Sequence, residues 1–238
     1  MSRIDSVAYL LQSAPPLRTH THEMEVFITV PHAYCPESEV RLCDLAALKA
    51  ANALRKALMD ANLPSDVIIH FHRPETLRET GDLNRRETRK WPWRRAIQRK
   101  VKAARRARKK VILFDMHSFP DDAEDFKRDI HEHPGPKVVL LDTLTLFQQP
   151  TMEVGWTHRD MVRRVEAESG VDVRIIAASD KNDITVRARR ILPDAPQASN
   201  ADTMLWEFNE DSTRLTTAEL ERVALALANY VRRRYSAQ

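Results

Sequence analysis

Six short runs of apolar, mostly β-branched residues constrain the fold of this chain more than any other feature. The predicted strands span 26–30, 67–71, 111–116, 138–141, 173–177 and 204–208. The predicted helices lie at about 42–61, 92–109, 157–169 and 216–234. Short apolar strands that alternate with helices are typical of a mostly parallel sheet covered on both faces. The pattern therefore predicts an α/β protein with three layers, α/β/α.

The size and composition of the chain narrow its class further. It has 238 residues, 42% hydrophobic and 30% charged, and this balance excludes a disordered chain. We expect one domain over 1–238, with a loosely packed arm at 1–24 where the apolar pattern is weak. No apolar stretch reaches the roughly 18 residues of a spanning helix, so we expect a cytoplasmic protein without a membrane partner. With only four glycines and no glycine-rich phosphate loop, the common nucleotide-binding motifs are excluded.

Polar side chains follow or end four of the predicted strands. His32 follows the first strand, the segment 82–85 follows the second, Asp115 and His117 end the third, and Glu207 lies in the last. Ligands of parallel α/β sheets bind at the carboxyl ends of the strands, so these residues are candidates for a site. Either histidine alone could simply cap a strand end or form a hydrogen bond with the backbone. Both together, with a carboxylate in an apolar strand, favour a divalent metal such as zinc. Leu205, Trp206 and Phe208 flank Glu207 in the sequence, and we expect them to keep water from its carboxylate.

Four ordered motifs carry a family resemblance that spans roughly residues 25 to 235. They are Pro31-His32 after a strand, Asp82-Leu83-Asn84-Arg85, Asp115-Met116-His117-Ser118, and Glu207 in a late apolar strand. In this order they resemble the N-formylglutamate amidohydrolases, relatives of zinc carboxypeptidases and of the aspartoacylase group. The resemblance implies a zinc-exopeptidase-like (phosphorylase/hydrolase-like) fold in a single amidohydrolase domain. It also implies hydrolysis of a small anionic N-acyl amino acid, with N-formyl-L-glutamate favoured.

The resemblance also implies a role for each motif. His32 and His117 would bind Zn²⁺ or another divalent metal, which polarises the amide carbonyl and lowers the pKa of water. Glu207 would be the catalytic carboxylate that takes a proton and returns it to the departing nitrogen. Asn84 and Arg85 would bind the substrate carboxylate, to which a guanidinium offers a matching planar fork. Ser118 is assigned to substrate binding with them.

The third metal ligand is left open between three residues. Zinc carboxypeptidases carry Glu three residues after the first His, where this chain has Cys35, and Tyr34 stands where the family usually has Gly. We prefer Asp44, which precedes a predicted helix and resembles an acidic residue at the same place in the family. Its position also suits an ordinary N-cap. Cys35 and Glu37 are the alternatives.

A basic segment at 85–110 accounts for the excess positive charge of the chain. It holds 14 Lys or Arg side chains and one acidic residue, Glu87. Its apolar positions recur at helical spacing: Ile97, Val101 and Ala104. This pattern predicts a helix with a charged outer face, and such a face commonly serves only to keep the helix solvated.

The basic segment could also take part in function, in one of two ways. Its potential could attract anionic acyl amino acids. Alternatively, Trp91 and Trp93 could stack on bases, which would make nucleic acid a secondary partner or the chain a non-enzymatic nucleic-acid-binding protein. A zinc carboxypeptidase-like enzyme or a peptidoglycan-type amidase is a further alternative to the N-acyl amino acid hydrolase.

Overall fold

The computed structural model describes residues 23–33, 44–73, 92–107, 109–119, 136–142, 158–177 and 201–236. The strands are β1 (Met24–Thr29), β2 (Val67–His72), β3 (Lys110–Phe119), β4 (Val138–Asp142), β5 (Val173–Ala177) and β6 (Ala201–Asn209). The helices are α1 (Leu45–Asp60), α2 (Pro92–Arg106), α3 (His158–Ser169) and α4 (Thr217–Ser236). Every predicted strand and helix is present. The expected N-terminal arm lies almost wholly outside the described residues.

All six strands form one sheet in the order β2-β1-β3-β6-β4-β5. Neighbouring strands are parallel except for β4 and β6, which are antiparallel. The mostly parallel α/β sheet predicted from the sequence is therefore confirmed. Because β1, β2, β3 and β6 all run in the same direction, their carboxyl ends lie along one edge of the sheet.

Helices cover both faces of the sheet, as three layers require. On one face, α1, α3 and α4 pack against alternate strand residues that include Val26, Phe114 and Trp206. On the other face, α2 packs against Phe27, and this second cluster is completed by five residues: Ile97, Val101, Ala104, Val111 and Leu113. Alternation of side chains across each strand separates these two sets. We refer to the side covered by α2 as the α2 face.

Two helices show how local sequence fixes the elements near the site. Six residues of α1 repeat at helical spacing and are buried: Ala46, Ala47, Ala50, Ala51, Leu54 and Leu58. At the start of α4, the backbone N–H of Thr216 donates to Glu219 at 2.9 Å, and the N–H of Glu219 donates to Thr216 Oγ1 at 3.3 Å. These two bonds form a reciprocal capping box, which fixes the start of α4. In the described part of the chain, no helix combines the length and apolar character needed to cross a membrane.

Candidate metal centre

Two histidines meet at the carboxyl edge of the sheet. His32 lies in the turn after β1, and His117 lies near the end of β3. Their ring centroids are 5.1 Å apart, with an interplanar angle of 76°. Because β1 and β3 are adjacent and parallel, residues that follow one and end the other are brought side by side.

Asp44 joins these histidines from the N-cap of α1. Its backbone N–H donates to the carbonyl of His32 at 3.2 Å, which ties the start of the helix to the turn after β1. Its Oδ2 atom lies 3.1 Å from Nδ1 of His32 and 3.4 Å from Nδ1 of His117. Asp44 makes no side-chain capping hydrogen bond to α1, so its carboxylate is directed at the histidines instead. The structure thus brings together His32, Asp44 and His117.

The spacing of these three side chains fits a metal ion. One ligand atom from each residue lies within 4.8 Å of the others. Ligands about 2.0–2.1 Å from a tetrahedral Zn²⁺ lie about 3.3 Å from one another, which matches the contacts of Asp44 with both rings. Two imidazoles and one carboxylate are also a ligand set used at catalytic zinc sites, which keep a fourth position for water or substrate.

The buried carboxylate of Asp115 lies beside the second ring nitrogen of His117, Nε2. Oδ2 of Asp115 lies 3.5 Å from Nε2 of His117, and Oδ1 of Asp115 accepts a hydrogen bond from Thr29 Oγ1 at 2.5 Å. Asp115 is fully buried. A carboxylate on the second ring nitrogen of a metal-binding histidine fixes the orientation of the ring and raises its basicity. This role of Asp115 was not predicted, although its two-residue separation from His117 on one strand places both on the same face.

The carboxylates make the site attractive to positive charge. Burial by itself would lower the pKa of the His117 imidazole, but the nearby carboxylates, first Asp115 and then Asp44 and Glu207, raise this pKa well above its ordinary value. Burial would raise the pKa of Asp44, yet the hydrogen bonds and charges of His117 and His32 lower it overall. The cluster therefore stabilises either a proton on His117 or a cation in its place.

Glu207 lies beside His117 on the neighbouring strand. The two residues are in register between β3 and β6, so both project toward the α2 face at the carboxyl edge. Glu207 is half-buried, whereas Trp206 and Phe208 are fully buried on the opposite face, under the helices. The flanking aromatic residues therefore do not surround Glu207. Of the three apolar residues that flank it in sequence, Leu205 alone projects to the same face. This corrects the expectation that the two aromatic neighbours keep water from its carboxylate.

Ser118 lies apart from the cluster. It follows His117 on β3 and so projects to the opposite face, where its hydroxyl donates to Oε1 of Glu210. The same Glu210 oxygen accepts the backbone N–H of Ala46 at 3.0 Å. Five other residues that were given a role from the sequence lie outside the described residues: Cys35, Glu37, Asn84, Arg85 and Trp91.

A third histidine lies on the same face of the sheet. His72 ends β2, in register with Thr29, and its ring forms a stack with those of Phe27 and His70. Its Nε2 atom is buried and has no hydrogen-bond partner among the described residues. Burial, followed by the positive charge of Lys100 and the proximity of His70, lowers the pKa of His72 to about 4. His72 is therefore a neutral imidazole near neutral pH.

Comparison with known proteins finds only remote likeness. No protein-family model and no curated protein matches the chain. Several solved structures are similar over most of their length, and three of them are described. A gene product of Agrobacterium tumefaciens is 15% identical with a TM-score of 0.48, and the match covers 89% of each chain. N-formylglutamate amidohydrolase from Ralstonia eutropha is 19% identical with a TM-score of 0.45, over 87% of this chain and 94% of that one.

The third is pyrrolidone carboxyl peptidase from Thermococcus litoralis, 9% identical with a TM-score of 0.43, over 88% of this chain and 96% of that one. These TM-scores are all below 0.5, and they support no inference about the site. What the site of this chain can do follows from its own residues.

Proposed function

We propose that this protein is a metal-dependent hydrolase that cleaves the amide bond of a small N-acyl amino acid, with N-formyl-L-glutamate as the favoured substrate. The observation that carries the proposal is the convergence of His32, Asp44 and His117, whose ligand atoms lie within 4.8 Å of one another. The four ordered sequence motifs supply the substrate class. They include two of these residues, His32 and His117.

The metal would be held by the two imidazoles and the Asp44 carboxylate. When bound there, a divalent cation supplies Lewis-acid polarisation of a carbonyl and lowers the pKa of water. Asp115, fixed by Thr29, orients the His117 ring and favours a proton on the nitrogen that faces it. The ring is thereby held with its other nitrogen, Nδ1, toward Asp44.

Glu207 is the proposed general acid and base. It is in register with His117, on the same face of the sheet, and adjacent parallel strands lie about 4.8 Å apart. Its half-buried carboxylate is open enough to reach a substrate beside the metal ligands. In this role it removes a proton from the attacking water and delivers it to the departing nitrogen.

The substrate carboxylate would be bound by Asn84 and Arg85 of the Asp-x-Asn-Arg motif. A guanidinium pairs with a carboxylate through two parallel hydrogen bonds, which an ammonium cannot reproduce. The motif follows β2, whose carboxyl end lies at the same edge of the sheet as the histidines. The position of the motif after β2 in the sequence is consistent with a substrate whose carboxylate is bound there and whose amide lies beside the metal ligands.

Metal content and activity of one preparation test the proposal. The protein is stripped with a chelator, reloaded with Zn²⁺, Mn²⁺ or Co²⁺, and assayed for release of formate from N-formyl-L-glutamate. N-acetyl and N-succinyl glutamate, a carboxyl-terminal peptide and a peptidoglycan fragment are assayed in parallel. We expect about one metal ion per chain and formate release that is lost on stripping and restored on reloading.

His117→Ala and His70→Ala form a matched pair of variants for this test. His70 lies on the same face of the sheet but bonds Glu25 at 2.9 Å, away from Asp44. We expect His117→Ala to lose metal and activity and His70→Ala to retain both. Full metal occupancy in folded His117→Ala would refute the proposed metal site, and cleavage of only the peptide or the peptidoglycan fragment would replace the proposed substrate.

A further inference from the structure

The start of α1 is capped by Glu210, the residue that follows β6. Asp44 occupies the N-cap position, where an aspartate side chain normally accepts the N–H of the second or third helical residue. The second helical residue is Ala46, and its N–H instead donates to Oε1 of Glu210 at 3.0 Å. Asp44 makes no side-chain capping bond. Glu210 thus occupies the capping position that Asp44 would otherwise fill.

Glu210 is itself held in place by β3. Its backbone N–H donates to the carbonyl of Phe119 at 2.9 Å, which extends the pairing of β6 with β3 by one residue. The hydroxyl of Ser118 donates to the same carboxylate oxygen that caps the helix. These bonds fix the Glu210 carboxylate at the start of α1 independently of the metal ligands.

We propose that Glu210 is a positioning residue for the metal centre. By accepting the Ala46 N–H, it leaves the Asp44 carboxylate to face His32 and His117, at 3.1 and 3.4 Å. Without Glu210, the N–H of Ala46 has lost its acceptor, and Asp44 is the adjacent carboxylate that can replace it. Capping and metal binding then compete for one side chain. This inference rests on the proposed metal site and extends it to a residue that contacts none of the three ligands through its side chain.

Zn²⁺ affinity, measured by competition with a chromophoric chelator, tests the proposal. We expect Glu210→Ala to weaken Zn²⁺ binding about 10- to 100-fold, the range for residues that orient metal ligands. Glu210→Gln keeps a side-chain carbonyl that accepts from Ala46 and Ser118, so its affinity should stay within about threefold of the wild type. Equal losses in both variants would show that the charge acts rather than the cap, and would overturn the proposal.

Glu219→Ala is the matched control, because Glu219 caps α4 at Thr216, at a helix start other than that of α1. It should destabilise the fold through a lost cap yet leave Zn²⁺ affinity unchanged. A crystal structure of Glu210→Ala gives a readout that does not depend on metal. We expect the Asp44 carboxylate to accept the Ala46 N–H. An Asp44 carboxylate still facing both histidines would overturn the inference even if the metal site is real. Absence of metal binding by the wild type would instead refute the proposed function, and the role of Glu210 in metal binding would fall with it.

Helix α2 presents a row of positive charges on its outer surface. Its inner side packs on the sheet through Ile97, Val101 and Ala104, each at most 2% exposed. The opposite side exposes four cations at helical spacing, which we call the basic stripe: Arg95, Arg99, Lys102 and Arg106. Its first and last residues are eleven positions apart along the helix, a length of about 16 Å.

The charges of the basic stripe are not neutralised within the described residues. α2 contains no acidic residue, and none of the four cations forms an ion pair with a described carboxylate. Like charges three or four residues apart repel each other and destabilise a helix. A row of cations that no described carboxylate neutralises is therefore suited to a partner that carries a row of negative charges.

We infer that the basic stripe binds the phosphate backbone of nucleic acid. A small substrate with one or two carboxylates would occupy only part of a 16 Å row, whereas successive phosphates can contact all of it. A membrane surface is disfavoured, because helices that bind membranes place large apolar residues beside their cations. The exposed large hydrophobic residues in the described part of the chain lie outside α2: Leu45, Met59, Ile68 and Leu225.

Binding of a fluorescent single-stranded DNA of mixed sequence tests this inference. Four phosphate contacts predict a plot of log K against log salt with a slope of about −3. Arg99→Glu with Lys102→Glu should weaken binding at least about tenfold. The matched control is Arg163→Glu with Arg232→Glu, which changes the net charge equally at exposed positions on α3 and α4 and should bind like the wild type. Equal losses in both double variants, or preference for anionic vesicles over DNA, would overturn the inference.

Discussion

Oδ2 of Asp44 lies 3.4 Å from Nδ1 of His117, and this contact joins the start of α1 to the end of β3. The same oxygen lies 3.1 Å from Nδ1 of His32. One carboxylate oxygen thus faces two imidazoles from adjacent strands. A metal ion bound between the Asp44 carboxylate and the two imidazole rings would therefore need little movement of the three side chains.

Asp44→Asn should weaken Zn²⁺ binding by more than about 100-fold, because it replaces the anionic ligand with a neutral amide. Loss of a residue that only orients a metal ligand already weakens metal binding about 10- to 100-fold. The measurement is the zinc content after dialysis against a weak chelator. Asp60→Asn is the control, since Asp60 is exposed at the other end of α1 and pairs with Lys56. Stoichiometric zinc in Asp44→Asn would remove this residue from the ligand set and return Cys35 and Glu37 to consideration.

Glu207→Gln should fold and bind metal and substrate normally, but hydrolyse N-acyl amino acids about 10²- to 10⁴-fold more slowly, since glutamine has nearly the same size and cannot accept the proton. The assay compares kcat with metal content in the same samples. Glu166→Gln, at an exposed site on α3, is the matched control and should be as active as the wild type. Undiminished turnover by Glu207→Gln would exclude it as the general base, while loss of folding alone would indicate a structural role.

Arg85→Lys should impair substrate use by about 1.5–3 kcal/mol, the range for hydrogen bonds to charged groups, because lysine keeps the charge but loses the planar fork. The effect is measured as kcat/KM, with metal content unchanged. Arg95→Lys on the basic stripe is the control and should not alter kcat/KM. If Arg85→Ala is kinetically silent, Arg85 is an ordinary member of the basic segment.

The elements were predictable because their signals are local. The apolar run at 111–116 predicted β3, which extends to Phe119 and so carries His117 within the strand. The direction of β4 was not predictable, since an apolar run of four residues is the same whether the neighbouring strand is parallel or antiparallel. β4 is antiparallel to β6, which leaves four strands with carboxyl ends at the site edge.

The site was predictable only where residues occupy special places in local structure. His32 and His117 were selected as strand-end residues, and Asp44 because it precedes a helix. The contact of Glu210 with Ala46 joins residues 164 positions apart, and no local pattern encodes it. Glu207 illustrates the opposite error, because neighbours in sequence were taken as neighbours in space. Alternation along β6 places Trp206 and Phe208 on the face opposite Glu207.

Glu219 should stabilise the fold in a manner that disappears in acid. The hydrogen bond from Lys137, then that from the Thr216 backbone, lowers the pKa of Glu219 to about 2 in the folded state, against 4.5 ordinarily. A carboxyl group with a lowered folded pKa binds fewer protons in the folded than in the unfolded state. Its stabilisation is complete above about pH 4.5 and is lost as the pH falls toward 2.

Denaturant unfolding of the wild type and Glu219→Gln at several pH values checks this expectation. The difference in free energy of unfolding between them should be largest at neutral pH and vanish near pH 2. Glu221→Gln, at an exposed position of the same helix, is the matched control. A difference that persists unchanged at pH 2 would assign the effect of Glu219 to hydrogen-bond geometry rather than to its charge.

The pKa of His72 should depend on Lys100. Burial contributes most to lowering this pKa to about 4, and the charge of Lys100 is the next contribution. Because the folded pKa lies below the ordinary 6.5, the folded state binds fewer protons than the unfolded state. The resulting stability is complete above about pH 6.5 and is lost as the pH falls toward 4. Lys100→Gln removes the charge and leaves the burial, so the pKa should rise without reaching 6.5.

An NMR titration of the His72 ring between pH 3 and 8 measures this shift directly, with His72→Gln used to assign the signal. Lys102→Gln removes the same charge from the basic stripe, and we expect it to change the His72 pKa less than Lys100→Gln does. In parallel, the acid-induced loss of unfolding free energy between pH 6.5 and 4 should be smaller in Lys100→Gln than in the wild type. Equal pKa values in the two lysine variants would mean that burial alone keeps His72 neutral, because the charge of Lys100 would then be screened by solvent before it reached the ring.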